Sequence, residues 1–235
     1  MPHPISTQWL AVGGPDGSFD AYLALPPGGS GPGLLLLQEI FGVNPHIRSV
    51  AEQYAQDGFV VLAPDLFWRH APRVELGYDG EDAKRAYELM GTVKSDQVLG
   101  DMKATLDVLK GRAECSGKVG AIGYCMGGRL AFSAAAMMPV DAAVAYYGGG
   151  IQNQLALAPQ VRCPVQFHYG EQDDHIPLSA VEQVRGAMAD HKGTEFHVYP
   201  GAGHGFNCWA RGSYHPRSAT LAHGRSLAFL AQQLY

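Results

Sequence analysis

Residues 123–127 read Gly-Tyr-Cys-Met-Gly, with an apolar run at 118–122 before them and a helix-like run at 129–137 after them. A strand that feeds a helix through one tight turn leaves a chain few ways to fold. The pattern is the nucleophile elbow G-x-S-x-G with cysteine in place of serine, which presents its central side chain at the apex of the turn. Flanking glycines are needed because such a turn leaves no room for Cβ atoms beside the adjoining strand and helix. An isolated cysteine reads as a small buried hydrophobe. The strand–turn–helix setting makes Cys125 a candidate nucleophile instead.

The rest of the chain alternates between two periodicities. Strands are expected at 6–12 and 20–25 around a turn at 13–17, and then at 34–37, 59–63, 118–122, 142–147, 164–169 and 195–199. Helices are expected at 45–57, 81–90, 95–110, 129–137, 179–189 and 218–234, with 26–33 as a Pro/Gly loop. Within 95–110, Val98, Met102, Leu106 and Leu109 recur at helical spacing, and Gly58 stands where a helix C-cap glycine belongs. The continuous apolar runs 34–37 and 59–63 suit strands buried on both faces. Alternation of this kind implies an α/β fold, a mostly parallel central sheet with helices on both faces. A chain of 235 residues with 46% hydrophobic content fits one domain, residues 1–235. The irregular stretch 65–80 carries Phe67, Trp68, Arg69, His70 and Arg73, and a stretch of that length without periodicity tends to build a pocket.

Charge and cysteine usage exclude several classes. A net charge of −5 gives no basic footprint for nucleic acid or an anionic membrane, and no apolar run approaches the ~20 residues of a membrane span. Four cysteines without C-x-x-C spacing argue against a zinc site, and are too sparse for a disulfide scaffold. The N-terminal stretch 1–12 lacks the basic and apolar regions of a signal peptide, so a cytoplasmic location is expected. The histidines lack spacing such as H-E-x-x-H, and neither a metal nor a cofactor is expected. The expected partner is a small molecule, and the chain a monomer or small homo-oligomer.

A nucleophile needs a base, and where this elbow occurs the acid and the histidine follow on loops after later strands. After 164–169 the chain reads Gly-Glu-Gln-Asp-Asp-His-Ile-Pro, and after 195–199 it reads Pro-Gly-Ala-Gly-His-Gly-Phe. Asp173 and His204 are the candidate partners of Cys125, each at the C-terminal end of its strand, where open parallel sheets place their sites. Asp174 reads as a turn residue and His175 as structural or pocket-edge. After 34–37 comes Gln-Glu-Ile-Phe-Gly-Val-Asn, so the backbone amides of Ile40 and Met126 are the candidate oxyanion-hole pair. Glu39 is the oddity, since a carboxylate at the end of a buried strand is costly without a partner. Either it pairs with a local arginine such as Arg129 or Arg69, or it contacts the cysteine and controls its ionisation.

These four segments, 38–44, 120–128, 170–177 and 201–206, together resemble the dienelactone hydrolase family of α/β-hydrolases. The resemblance spans nearly the whole chain. It implies a Cys125–His204–Asp173 triad, an oxyanion hole of the Ile40 and Met126 amides, and no cofactor. It also implies that Glu39 holds the resting thiol and swings away when substrate enters. Tyr87 matches a pocket tyrosine of the family, while Phe41 and Phe206 fall where they could line the pocket, as do Trp68 and Trp209. The activity implied is hydrolysis of an enol-lactone or a related small ester through an acyl-enzyme. Thioester cleavage in the same pocket, or ligand binding without catalysis, are the alternatives. One departure bears on substrate. Of the two arginines with which the family holds a substrate carboxylate, the first position falls near Ala83 and the second at Asn207 or Cys208, leaving Arg85 and Arg211 as candidate replacements.

Overall fold

The computed structural model describes residues 4–235, so the first three residues of the N-terminal stretch lie outside it. Contacts group the chain into two compact units, Met1–Val119 and Gly120–Tyr235.

In the first unit, β1 (Ser6–Gly14) and β2 (Gly17–Leu25) form an antiparallel hairpin in the register Ser6↔Leu25 to Gly14↔Gly17. β2 pairs antiparallel with β4 (Val60–Pro64), and β4 pairs parallel with β3 (Gly31–Leu37), in register Leu34↔Val61. Both β3 and β4 are buried along their whole length, as continuous apolar strands require. β3 begins inside the expected loop 26–33 because Gly31 is strand, not turn. Its amide donates to the Glu114 carbonyl at 3.0 Å, and a Cβ there would stand 2.0 Å from the Gly58 oxygen.

Helix α1 (Pro45–Gln56) starts on Asn44, whose side chain accepts from the Ile47 amide, with Pro45 in the first turn. It ends as Gly58 turns to φ 104. Helix α2 (Gly80–Thr92) is mostly exposed. Helix α3 (Ser95–Lys110) buries Val98, Met102, Leu106 and Leu109, the face set by their spacing, together with Asp101 and Thr105.

Strand β5 (Cys115–Tyr124) carries the chain into the second unit, where every strand pairing is parallel. β5 pairs with β6 (Ala142–Tyr146), β6 with β7 (Val165–Gly170), and β7 with β8 (Thr194–Tyr199). Helices α4 (Met126–Met137), α5 (Leu178–Ala187) and α6 (Pro216–Leu234) follow strands β5, β7 and β8. A Cβ on Gly120 would meet Leu230 and Leu234 of α6, and one on Gly123 would meet Gly127 of α4. Residues an odd number apart point to opposite faces of a strand, so α6 and α4 cover the two faces of the sheet. α6 begins two residues before the expected 218 because Pro216 sits in its first turn and His215 Nδ1 caps the Ser218 amide at 3.3 Å. Two short 3-10 helices, Ile151–Asn153 and Leu155–Gln160, fill a connection that periodicity did not mark. Among the described residues no helix is long and apolar enough to cross a membrane.

Candidate active site

The C-terminal ends of β5, β6, β7 and β8 bring the sequence-derived residues of the second unit together. Cys125 lies between β5 and α4 with φ 55 and ψ −113, a conformation that costs a non-glycine residue strain. The surroundings hold it there. Its amide donates to the Tyr146 carbonyl at 3.0 Å, and its carbonyl accepts from Arg129 at 3.2 Å. A Cβ on Gly123 would lie 2.0 Å from the Gly127 oxygen, and one on Gly128 would lie 2.4 Å from the Tyr146 oxygen. Both glycines are therefore required by backbone-to-backbone approach. Met126 opens α4, and an amide in a first helical turn has no intrahelical acceptor. The positive end of the helix dipole favours an anion at the elbow.

Gly170 closes β7 against the loop after β8. Glu171 N donates to Tyr199 O at 3.0 Å, Gln172 N to Ala202 O at 2.9 Å, and Gly201 N to Glu171 Oε2 at 3.0 Å. This zipper delivers Asp173 to His204, whose Nδ1 lies 2.8 Å from Asp173 Oδ2. The other carboxylate oxygen accepts from the amides of His175 at 2.9 Å and Ile176 at 3.1 Å. With Asp173 buried and its oxygens satisfied by N–H donors, the carboxylate is fixed in orientation. Burial alone pushes the His204 imidazole toward its neutral form. Hydrogen bonds to Asp173 and Cys125, followed by the charges of both, outweigh burial and raise it to about 10. His204 thus links Asp173 to Cys125.

Two aromatic neighbours of His204 were not marked as its partners by sequence. Tyr147, fully buried just after β6, is a second non-glycine residue with positive φ, at 36°. Its ring meets the imidazole at 5.2 Å and 63°. His175, read as structural or pocket-edge, is exposed and stands edge-on to His204 at 4.9 Å. Phe206 is fully buried, packed on Tyr147 at 5.4 Å and Tyr199 at 5.0 Å. Arg211 curls back onto the same loop through successive turns, Cys208 N to Gly205 O and Arg211 N to Cys208 O. Gly205 has φ 75, and a Cβ on it would meet the Arg211 guanidinium at 2.6 Å.

In the first unit Glu39 is fully buried, and its Oε2 accepts from the Tyr78 hydroxyl at 3.0 Å. Of the arginines weighed as its partner, Arg69 is bound by Asp101 and Asp16. Ile40 and Phe41 are buried, Phe41 edge-on to Tyr78 at 4.5 Å. Trp68 is a structural residue: it stacks on Phe19, and its Nε1 donates to Asp101 at 2.9 Å. Arg85 pairs with Glu88 on the exposed surface of α2, where Tyr87 is also exposed. Trp209 is exposed as well. No disulfide joins the cysteines among the described residues, and burial pushes the Cys163 thiol up to about 11.

Parallel strands covered by helices on both faces, with a strained elbow at the strand ends, make this an α/β-hydrolase fold. The model of the dienelactone hydrolase family matches residues 19–234, and the chain belongs to that family. It is a carboxylic-ester hydrolase of the lactone and ester type. A carboxymethylenebutenolidase from Pseudomonas putida is 34% identical over 227 residues, covering 96% of each chain. Another, from Pseudomonas sp. strain P51, is 36% identical over 215 residues, covering 91% of this chain and 90% of its own. A crystal structure from Klebsiella pneumoniae, of a chain proposed to be a dienelactone hydrolase, superposes with a TM-score of 0.88. It is 32% identical and covers 97% of this chain and 99% of its own.

Proposed function

We propose that this chain hydrolyses a carboxylate-bearing enol-lactone of the dienelactone type, with Cys125 as nucleophile, His204 as acid and base, and Asp173 as the group that orients His204. The hydrogen-bonded run Asp173–His204–Cys125 on the strained elbow carries this reading. The Cys125 sulfur attacks the lactone carbonyl, and the tetrahedral oxyanion is held by the Met126 amide. The family resemblance adds the Ile40 amide as a second donor. Collapse breaks the ring C–O bond, and the enolate stays tethered to the acyl chain and takes a proton from the His204 imidazolium. Acylation removes the sulfur's hydrogen bond and charge that help to raise His204, so the imidazole stays in its neutral form after giving up its proton and can accept one from the water that cleaves the thioester. Thiolate and imidazolium then return, and the product carries a new carboxylate.

An enol-lactone suits a thiol better than a simple ester does, because the attached enolate leaves readily from a thiol adduct. A carboxylate on the substrate is supported by the Arg211 guanidinium, which overlies the residue after His204. By family resemblance Glu39 restrains the thiol until substrate enters. The test is Cys125→Ala assayed on an enol-lactone and an aryl ester. Turnover should fall at least about a thousandfold while substrate still binds, and undiminished hydrolysis would sink the assignment.

A further inference from the structure

The geometry points to Tyr78 as a positioning residue that fixes the Glu39 carboxylate as a hydrogen-bond acceptor and holds it in place. This rests on the reading of Glu39 as the restraint on Cys125.

The direction of the hydrogen bonds follows from the cap of α1. Asn44 Oδ1 accepts from the Ile47 amide at 3.1 Å, so its amide nitrogen must face the other way. That nitrogen donates one hydrogen to the Leu76 carbonyl at 3.0 Å and the other to the Tyr78 oxygen at 3.1 Å. A hydroxyl has a single proton, and with Asn44 donating to it the Tyr78 proton is directed to Glu39 Oε2, 3.0 Å away. Glu39 Oε2 therefore receives a hydrogen bond rather than giving one, the arrangement that stabilises a carboxylate in a buried position.

The segment bearing Tyr78 is itself tied to the loop bearing Glu39. Gly42 bridges Glu75 in antiparallel sense, Leu76 N donates to Phe41 O at 3.0 Å, and Phe41 stands edge-on to the Tyr78 ring. Gly42 has φ 81, and a Cβ there would lie 1.8 Å from the Val74 oxygen, so this contact is built into the backbone. Arg48 adds a further tie, donating to Val43 O and pairing with Glu75. A swing that carries Glu39 Oε2 away from this position breaks the Tyr78 bond. Tyr78 thereby sets how readily the restraint on Cys125 is released.

Tyr78→Phe removes the hydroxyl and keeps the ring on Phe41. The test compares wild type, Tyr78→Phe and Glu39→Gln for iodoacetamide alkylation of Cys125 without substrate, with Cys125→Ala as the blank. In Tyr78→Phe, alkylation should accelerate about tenfold, the low end for loss of a hydrogen bond to a charged group. KM for the enol-lactone should fall with kcat within about twofold, because substrate displaces the carboxylate more easily. A structural role alone would lower the thermal midpoint without this split. If Glu39→Gln accelerates alkylation and Tyr78→Phe does not, the role of Tyr78 is overturned while the Glu39 reading stands. If Glu39→Gln leaves alkylation unchanged, the Glu39 restraint itself fails and this inference falls with it.

Discussion

Gly170 and Ala202 approach so closely that a Cβ on Gly170 would stand 2.3 Å from the Ala202 carbonyl oxygen. The same oxygen accepts from the Gln172 amide at 2.9 Å. The acid loop and the histidine loop are thus registered by backbone contact, and the 2.8 Å bond from His204 to Asp173 depends on it. Gly170→Ala is expected to push the loops apart and lower kcat by about a hundredfold, since small misplacements of reacting groups are costly. KM should change much less. Steady-state kinetics on an enol-lactone checks this, and an unchanged kcat would show that the contact does not set the geometry.

His204 also predicts how stability depends on pH. Its folded value is raised to about 10, against about 6.5 for a free histidine. A group raised in the fold contributes stability that is fully present below its unfolded value and is lost as pH rises through the folded one. The stability difference between wild type and His204→Gln should therefore be largest below about pH 6.5 and shrink toward pH 10. Urea melts across that range measure it. A difference that grows with pH would contradict the raised value.

Asp101 anchors a different part of the molecule. It is fully buried on α3, grips Arg69 through both oxygens and accepts from Trp68 Nε1. Removing one partner of a buried pair leaves the other charge uncompensated. Asp101→Ala is expected to lower unfolding free energy by about 3 kcal/mol, read from denaturant melts, whereas Lys103→Ala, which breaks an exposed pair with Asp107, should cost under about 1 kcal/mol. Equal losses would mean that burial is not what gives the Asp101 pair its weight.

Local patterns were legible where local chemistry decides. The buried face of α3 follows from Val98, Met102, Leu106 and Leu109, and the end of α1 from Gly58 at φ 104. Of the elbow's two flanking glycines, backbone approach forces the one at 123, and it also forces glycine at 128, one residue beyond the five-residue pattern. What escaped depends on contacts far along the chain. Gly31 reads as a loop residue until the Gly58 carbonyl is seen against it. Tyr147 reads as the last residue of an apolar strand, and only folding places its ring on His204. Tyr78 stands 39 residues from Glu39, in a stretch with no period. A tyrosine before a helix gives no sign of the carboxylate it will meet. That a buried Glu39 requires a partner was foreseeable, but the sequence pointed to an arginine or the cysteine, and the Tyr78 hydroxyl was not among them.

Arg211 bears on which substrates the chain accepts. Sequence left Arg85 and Arg211 as possible replacements for arginines absent from their expected positions. Arg85 pairs with Glu88 on the exposed surface of α2, and the Arg211 guanidinium lies against Gly205, directly after His204. Gly205 at φ 75 permits that placement, since any side chain there would collide with the guanidinium. A planar guanidinium binds a carboxylate through two parallel hydrogen bonds, and lysine, a point charge on a flexible stem, reproduces only the charge. Arg211→Ala should therefore lower kcat/KM for an acid-bearing lactone by about thirtyfold, the effect of a charge-assisted contact. The matching methyl ester should change by less than about threefold, and Arg211→Lys should recover only part of the loss. The measurement is the ratio of kcat/KM for acid and ester in each variant. If Arg211→Ala lowers both substrates equally, the arginine shapes the His204 loop rather than reading the carboxylate.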